Sequence, residues 1–108
     1  MSQPISLAHR QQQLIATGFG TFVQAAGGHA NQVLIQARFA VTGGGGYSRS
    51  ANTDSVLIFV GDSTPTTADR DSMTVLASGD QLAFSVSDTG KIWICGADTD
   101  SVTILVIE

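Results

Sequence analysis

Three runs toward the carboxyl end of the chain alternate apolar and polar residues, and this alternation constrains the fold more than any other feature. In 81–87, Leu82, Phe84 and Val86 alternate with Gln81, Ala83, Ser85 and Ser87. In 91–95, Ile92 and Ile94 alternate with Lys91, Trp93 and Cys95, and in 102–107, Val102, Ile104 and Val106 alternate with Thr103, Leu105 and Ile107. A period of two belongs to a strand, whose successive side chains point to opposite faces. The short connections Asp88-Thr89-Gly90 and Asp98-Thr99-Asp100 suit three-residue hairpin loops. Together these features predict a meander with Val86 opposite Ile92, Phe84 opposite Ile94, Ile94 opposite Ile104 and Ile92 opposite Val106. In that register Trp93 lies opposite Leu105 on the outer face, with Cys95 and Ile107 beside them. So apolar a face requires cover, either from the N-terminal arm or from another subunit. Trp93, Cys95, Leu105 and Ile107 are therefore candidate interface residues.

The remaining chain supplies five more strands. Residues 1–10 have no clear period and read as an arm. Residues 11–17 and 21–25 read as short strands separated by Gly18-Phe19-Gly20, and 31–42 holds the longest alternation, with Val33, Ile35, Ala37, Phe39 and Val41 on one face. The stretch GGGGYSRSANT (43–53) is too rich in glycine for regular structure and reads as a mobile surface loop. Tyr47 and Arg49 at its tip are candidate contacts to a glycan or a protein neighbour, both types being enriched at binding hot spots. The unbroken run Val56-Leu57-Ile58-Phe59-Val60 marks a strand covered on both faces and central in its sheet. A long loop (62–72), a short strand (73–77) and the turn Ser78-Gly79-Asp80 lead into the closing runs.

Eight strands without a substantial helix predict an all-β fold, a two-sheet antiparallel β-sandwich of jelly-roll-like type spanning 11–108. An up-and-down barrel fits less well, because the loops at Gly43 and Asp62 are long enough to cross between sheets. At 108 residues the chain suits one domain.

Composition excludes several function classes. A formal charge of −4, with no cluster of lysine and arginine, is the wrong electrostatics for duplex nucleic acid. The segment before Asp54 carries +3 and the remainder −7, a polarity that reflects turn aspartates or complementary faces that orient partners. The amino terminus lacks the basic-then-apolar pattern of a secretory signal or membrane anchor, so a protein made in a cytoplasm and staying soluble, without membrane contact, is expected. The single cysteine excludes an internal disulfide.

No constellation of catalytic residues is apparent. Gly61-Asp62-Ser63 after a strand looks like the nucleophile block of GDSL-type esterases, but both histidines, His9 and His29, precede Ser63, and a serine without an oriented base is a weak nucleophile. The glycine run lacks the Lys-Ser or Lys-Thr of a phosphate-binding loop. Asp69, Asp71, Asp98 and Asp100 match no complete calcium loop, and neither histidine has zinc-ligand spacing. No catalytic, cofactor-binding or metal residue is assigned, and the protein is not expected to be an enzyme.

The segment 58–108, IFVGDSTPTTADRDSMTVLASGDQLAFSVSDTGKIWICGADTDSVTILVIE, resembles small structural proteins of tailed-bacteriophage virions. The matching residues are a strand ending in Gly61-Asp62, the turn Leu76-Ala77-Ser78-Gly79, Ile92-Trp93-Ile94, and the valine-rich end 102–108. The resemblance covers about half the chain and carries no catalytic residue. It implies a capsid decoration or cement protein on the virion surface, made in the bacterial cytoplasm. The implied partners are the major capsid protein and further copies of the chain, as a trimer or dimer. A tail or fibre component or a glycan-binding receptor module is the alternative, and a small esterase a more distant one.

Overall fold

The computed structural model describes residues 9–38, 41–42, 48–49 and 55–107. Its strands in chain order are β1 (His9–Ile15), β2 (Gly18–Gln24), β3 (Gln32–Ala37), β4 (Val41–Thr42), β5 (Ser48–Arg49), β6 (Val56–Val60), β7 (Thr74–Leu76), β8 (Gln81–Ser85), β9 (Ile92–Gly96) and β10 (Ser101–Ile107). Eight of them form two antiparallel four-stranded sheets. Sheet A has the order β1-β10-β3-β8 and sheet B the order β2-β9-β6-β7, while β4 and β5 pair with each other. Helical structure among the described residues is confined to two 3-10 segments, Thr67–Ser72 and Thr89–Lys91. The fold is thus the all-β sandwich expected from the alternation, with a jelly-roll strand order.

The core lies between the sheets. Val33, Ile35, Val102, Ile104 and Val106 reach in from sheet A, and Val56, Ile58, Ile92 and Ile94 from sheet B, all at most 3% exposed. Each side chain of this kind stabilises the fold by about 1.5–3 kcal/mol relative to exposure. The alternation in the sequence identified the inward positions of β3, β9 and β10 correctly, and β6 is central as its unbroken apolar run required, although its end residue Val60 is exposed.

The predicted meander does not form. β8 pairs with β3, β9 lies between β2 and β6, and β10 lies between β1 and β3. Ile94 is opposite Ile58 and Val23, whereas Ile104 is opposite Ile35 and Gln12, so the two belong to different sheets. Phe84 is opposite Val33. The reason is that both short connections cross between sheets instead of closing hairpins. Asp88 caps the 3-10 segment Thr89–Lys91 and is bridged to His29, while Thr99 donates its amide to Ala16 O at 2.9 Å. Alternation fixes which face of a strand is buried, but a sandwich offers two walls that satisfy it equally.

Other boundaries differ as well. β1 begins at His9, inside the stretch read as the arm, and β3 ends at Ala37 rather than near Thr42. Ser48 and Arg49, within the stretch read as a loop, pair with Val41 and Thr42. The loop after Asp62 joins β6 to β7 within sheet B, so it does not cross between sheets.

Candidate functional site

The two outer faces of the sandwich differ in what covers them. On sheet B, the outward residues Trp93 and Cys95 are 8% and 0% exposed. Trp93 Nε1 donates to Gly61 O at 3.3 Å, and Arg70, from the 3-10 segment Thr67–Ser72, donates through Nη1 to Phe19 O at 2.9 Å. The 61–73 loop thereby spans from β6 to β2 across this face. The loop is set by its own sequence, because the Asp69 carboxylate accepts the Thr66 amide at 2.7 Å and Pro65 is buried. Beneath it β2 departs from β9, with residues 19–22 intervening between the pairs Gly18 with Gly96 and Val23 with Ile94. The Cys95 thiol meets Phe19 O at 3.0 Å in this bulge. Burial raises the thiol pKa above its ordinary value, outweighing the nearby Arg70 charge.

Trp93 and Cys95 are therefore packed within the chain, Trp93 against the 61–73 loop and Cys95 against the bulged start of β2. Nor do they share a face with Leu105 and Ile107, which lie on sheet A. The four residues predicted as one patch occupy opposite sides of the sandwich. Tyr47 and the Arg49 side chain lie outside the described residues.

The outer face of sheet A is the candidate site. Cross-strand register aligns Gln11, Leu105, Leu34 and Ala83 in one row, and Gln13, Thr103, Gln36 and Gln81 in the next. A third row holds His9, Ile107, Gln32 and Ser85. Apart from His9 at the β1 edge, these rows contain no acidic or basic residue. Leu34, Leu105 and Ile107 are half-buried, and a hollow of about 410 Å³ is lined by Gln32, Leu34, Ala83, Ser85 and Ile107. Neutral amides both donate and accept hydrogen bonds, so this face suits polar, uncharged protein surface around a small apolar centre. Leu34 and the glutamines were not singled out from the sequence. The signal was present in Gln32, Leu34 and Gln36, which share the outward phase of β3.

A polar clamp closes the β1 end of the sandwich. The inward side of β1 carries Arg10 and Gln12 above Leu14. Gln12 exchanges two hydrogen bonds with the Ala26 backbone, and Arg10 donates to His29 O at 3.3 Å and to Thr89 Oγ1 at 3.2 Å. Thr89, fully buried, donates to Ala26 O at 2.5 Å. Asp88 Oδ1 accepts the amides of Gly90 at 2.7 Å and Gly28 at 3.1 Å, and these two bonds hold its pKa below the ordinary 3.8. The Arg10 guanidinium lies against Gly28, where a Cβ would displace it. This is a structural knot between the β2–β3 loop and the crossing from β8 to β9.

The remaining sequence candidates stay apart. Ser63 is exposed in the 61–73 loop. Asp69 and Asp71 lie on that loop, and Asp98 and Asp100 on the β9–β10 connection. Among the described residues no three His, Cys, Asp or Glu side chains converge as a metal site, and no helix is long and apolar enough to cross a membrane.

No family model matches the chain, and no curated protein matches it. Among solved structures, a protein from the work described as "Bacillus endospore appendages form a novel family of disulfide-linked pili" is similar over 94% of this chain and 88% of its own, at 14% sequence identity and a TM-score of 0.43.

Proposed function

We propose that the protein is a non-enzymatic structural subunit of a virion, a capsid decoration or cement protein that docks through the outer face of sheet A. The observation that carries this reading is the asymmetry of the two faces. The chain buries Trp93 and Cys95, the centre of the outer face of sheet B, beneath its own loop and leaves Val75 exposed only at the β7 border, while Leu34, Leu105 and Ile107 stay partly exposed among neutral glutamines at the centre of sheet A. Decoration of a preformed shell needs a rigid module with one such face and no chemistry. The resemblance of 58–108 to small virion proteins supplies the kind of shell, with the major capsid protein as partner and the virion surface as location. A glycan-binding role is weakened by the burial of Trp93, which removes it as a sugar platform.

The test is binding to purified phage heads that lack the protein. Wild type should co-sediment with them, and a Leu105→Thr/Ile107→Thr double variant should lose at least tenfold in affinity, about 1.4 kcal/mol or more. The variant's far-UV circular dichroism should stay unchanged, since neither residue lies in the core cluster. Equal binding by the folded variant and wild type would refute the docking face, and no binding by wild type would refute the capsid role.

A further inference from the structure

Sheet A ends at β8, and among the described residues nothing pairs with the far side of that strand. Its free edge is chemically defined. The Val86 amide bonds to Asn31 O and the Ala37 amide to Asp80 O, so residues 80, 82, 84 and 86 direct their backbone groups toward β3. By the alternation of an antiparallel ladder, the amides of Gln81, Ala83 and Ser85 point to the open edge. Beside that edge the two sheets part over a cleft of about 340 Å³ lined by Ile58, Met73, Thr74, Leu82 and Phe84. Leu82 and Phe84 are only half-buried, although they belong to the inward face of β8. An unpaired edge beside an apolar cleft is the geometry that accepts an added strand.

The residues preceding β1 have the matching pattern. In 4–8, Pro-Ile-Ser-Leu-Ala, Ile5 and Leu7 are two apart and share a strand face, and no side chain is charged. The cleft lining is likewise uncharged. Chain geometry decides whose edge they can reach. β1 lies at the opposite border of sheet A, so the free side of β8 is four strand spacings away, about 19 Å. Ile5 is four residues from His9 and reaches at most about 14 Å, and Leu7 reaches about 7 Å. Neither can fill the cleft of its own molecule.

We propose that residues 4–8 of one copy add to the free edge of β8 in a second copy, with Ile5 and Leu7 seated in the cleft between the sheets. The contact is heterologous, so it builds a closed ring when the rotation closes and a filament when it does not. It is independent of what docks on the outer face of sheet A.

The test compares the full chain with an Ile5→Asp/Leu7→Asp variant by sedimentation and by residue-resolved amide hydrogen exchange. In wild type we expect concentration-dependent oligomers, and in them the amides of Gln81, Ala83 and Ser85 should exchange at least about tenfold more slowly than in the variant. The variant should be monomeric, with the far-UV circular dichroism of the wild type and a melting temperature no longer dependent on concentration. The Leu105→Thr/Ile107→Thr variant should form the same oligomers as wild type. A monomeric wild type at hundred-micromolar concentration would overturn the proposal, as would rapid exchange of these amides within the oligomer. Protection persisting in the monomeric variant would also overturn it, since a segment of the same chain would then cover the edge.

Discussion

Asp88 ties two loops through the amides of Gly90 and Gly28, and its effect on stability has a definite sign. Folding lowers this carboxyl's pKa, so its contribution is fully present above the ordinary value of 3.8 and is lost as pH falls through the lower folded value. Asn at this position keeps an acceptor oxygen but no charge. Wild type should therefore melt above Asp88→Asn at pH 6, and the gap should close below pH 3.8, as followed by thermal unfolding. A gap independent of pH would contradict the assignment. Thr99 holds φ at 72°, a left-handed conformation that a β-branched residue adopts at a cost. Thr99→Gly should stabilise the fold by roughly 0.5–1 kcal/mol in denaturant titration. The sequence marked both positions as turn residues. It left their partners unmarked, because Gly28 and Ala16 come from distant parts of the chain and carry no pattern of their own.

At the level of elements, the 61–73 loop and β9 act together. Removing the Arg70 bond to Phe19 O should loosen the loop over Trp93. Arg70→Ala is expected to cost about 1 kcal/mol, to red-shift the tryptophan fluorescence, and to speed reaction of the Cys95 thiol with a disulfide reagent. In wild type that thiol, 0% exposed and with its pKa raised, should react only on unfolding. A rapidly labelled native protein would show that the loop does not cover the face. Within the core, Ile104→Ala should cost about 2–5 kcal/mol, read from the midpoint of chemical unfolding. Strands β3, β8, β9 and β10 were legible because each alternates, and β6 because its apolar run is unbroken. The loop's covering role was not, since its contacts are made by backbone oxygens of Gly61 and Phe19, which any sequence would supply.

Over the whole molecule, strand pairing joins distant parts of the chain: β1 with β10, β3 with β8 and β10, and β2 with β9. Of the neighbours within the two four-stranded sheets, only β6 and β7 are consecutive strands. A topology of this kind closes long loops before its contacts form, so folding should take milliseconds to seconds in stopped-flow refolding. Microsecond folding would be inconsistent with it. The sequence by itself determined the all-β class, eight strands and the inward face of the closing runs, because side-chain periodicity follows from backbone geometry and is written residue by residue. It also identified β6 as central through its continuous apolar run. Which wall each strand joins was decided only by the tertiary structure. Alternate residues of β8, β9 and β10 are equally well buried in one meander or in two opposed sheets, and the choice rests on crossings fixed by remote loops. For the same reason Trp93 and Leu105, similar in phase and character, ended on opposite sides: one sealed by the chain's own loop, the other left as the centre of a neutral face.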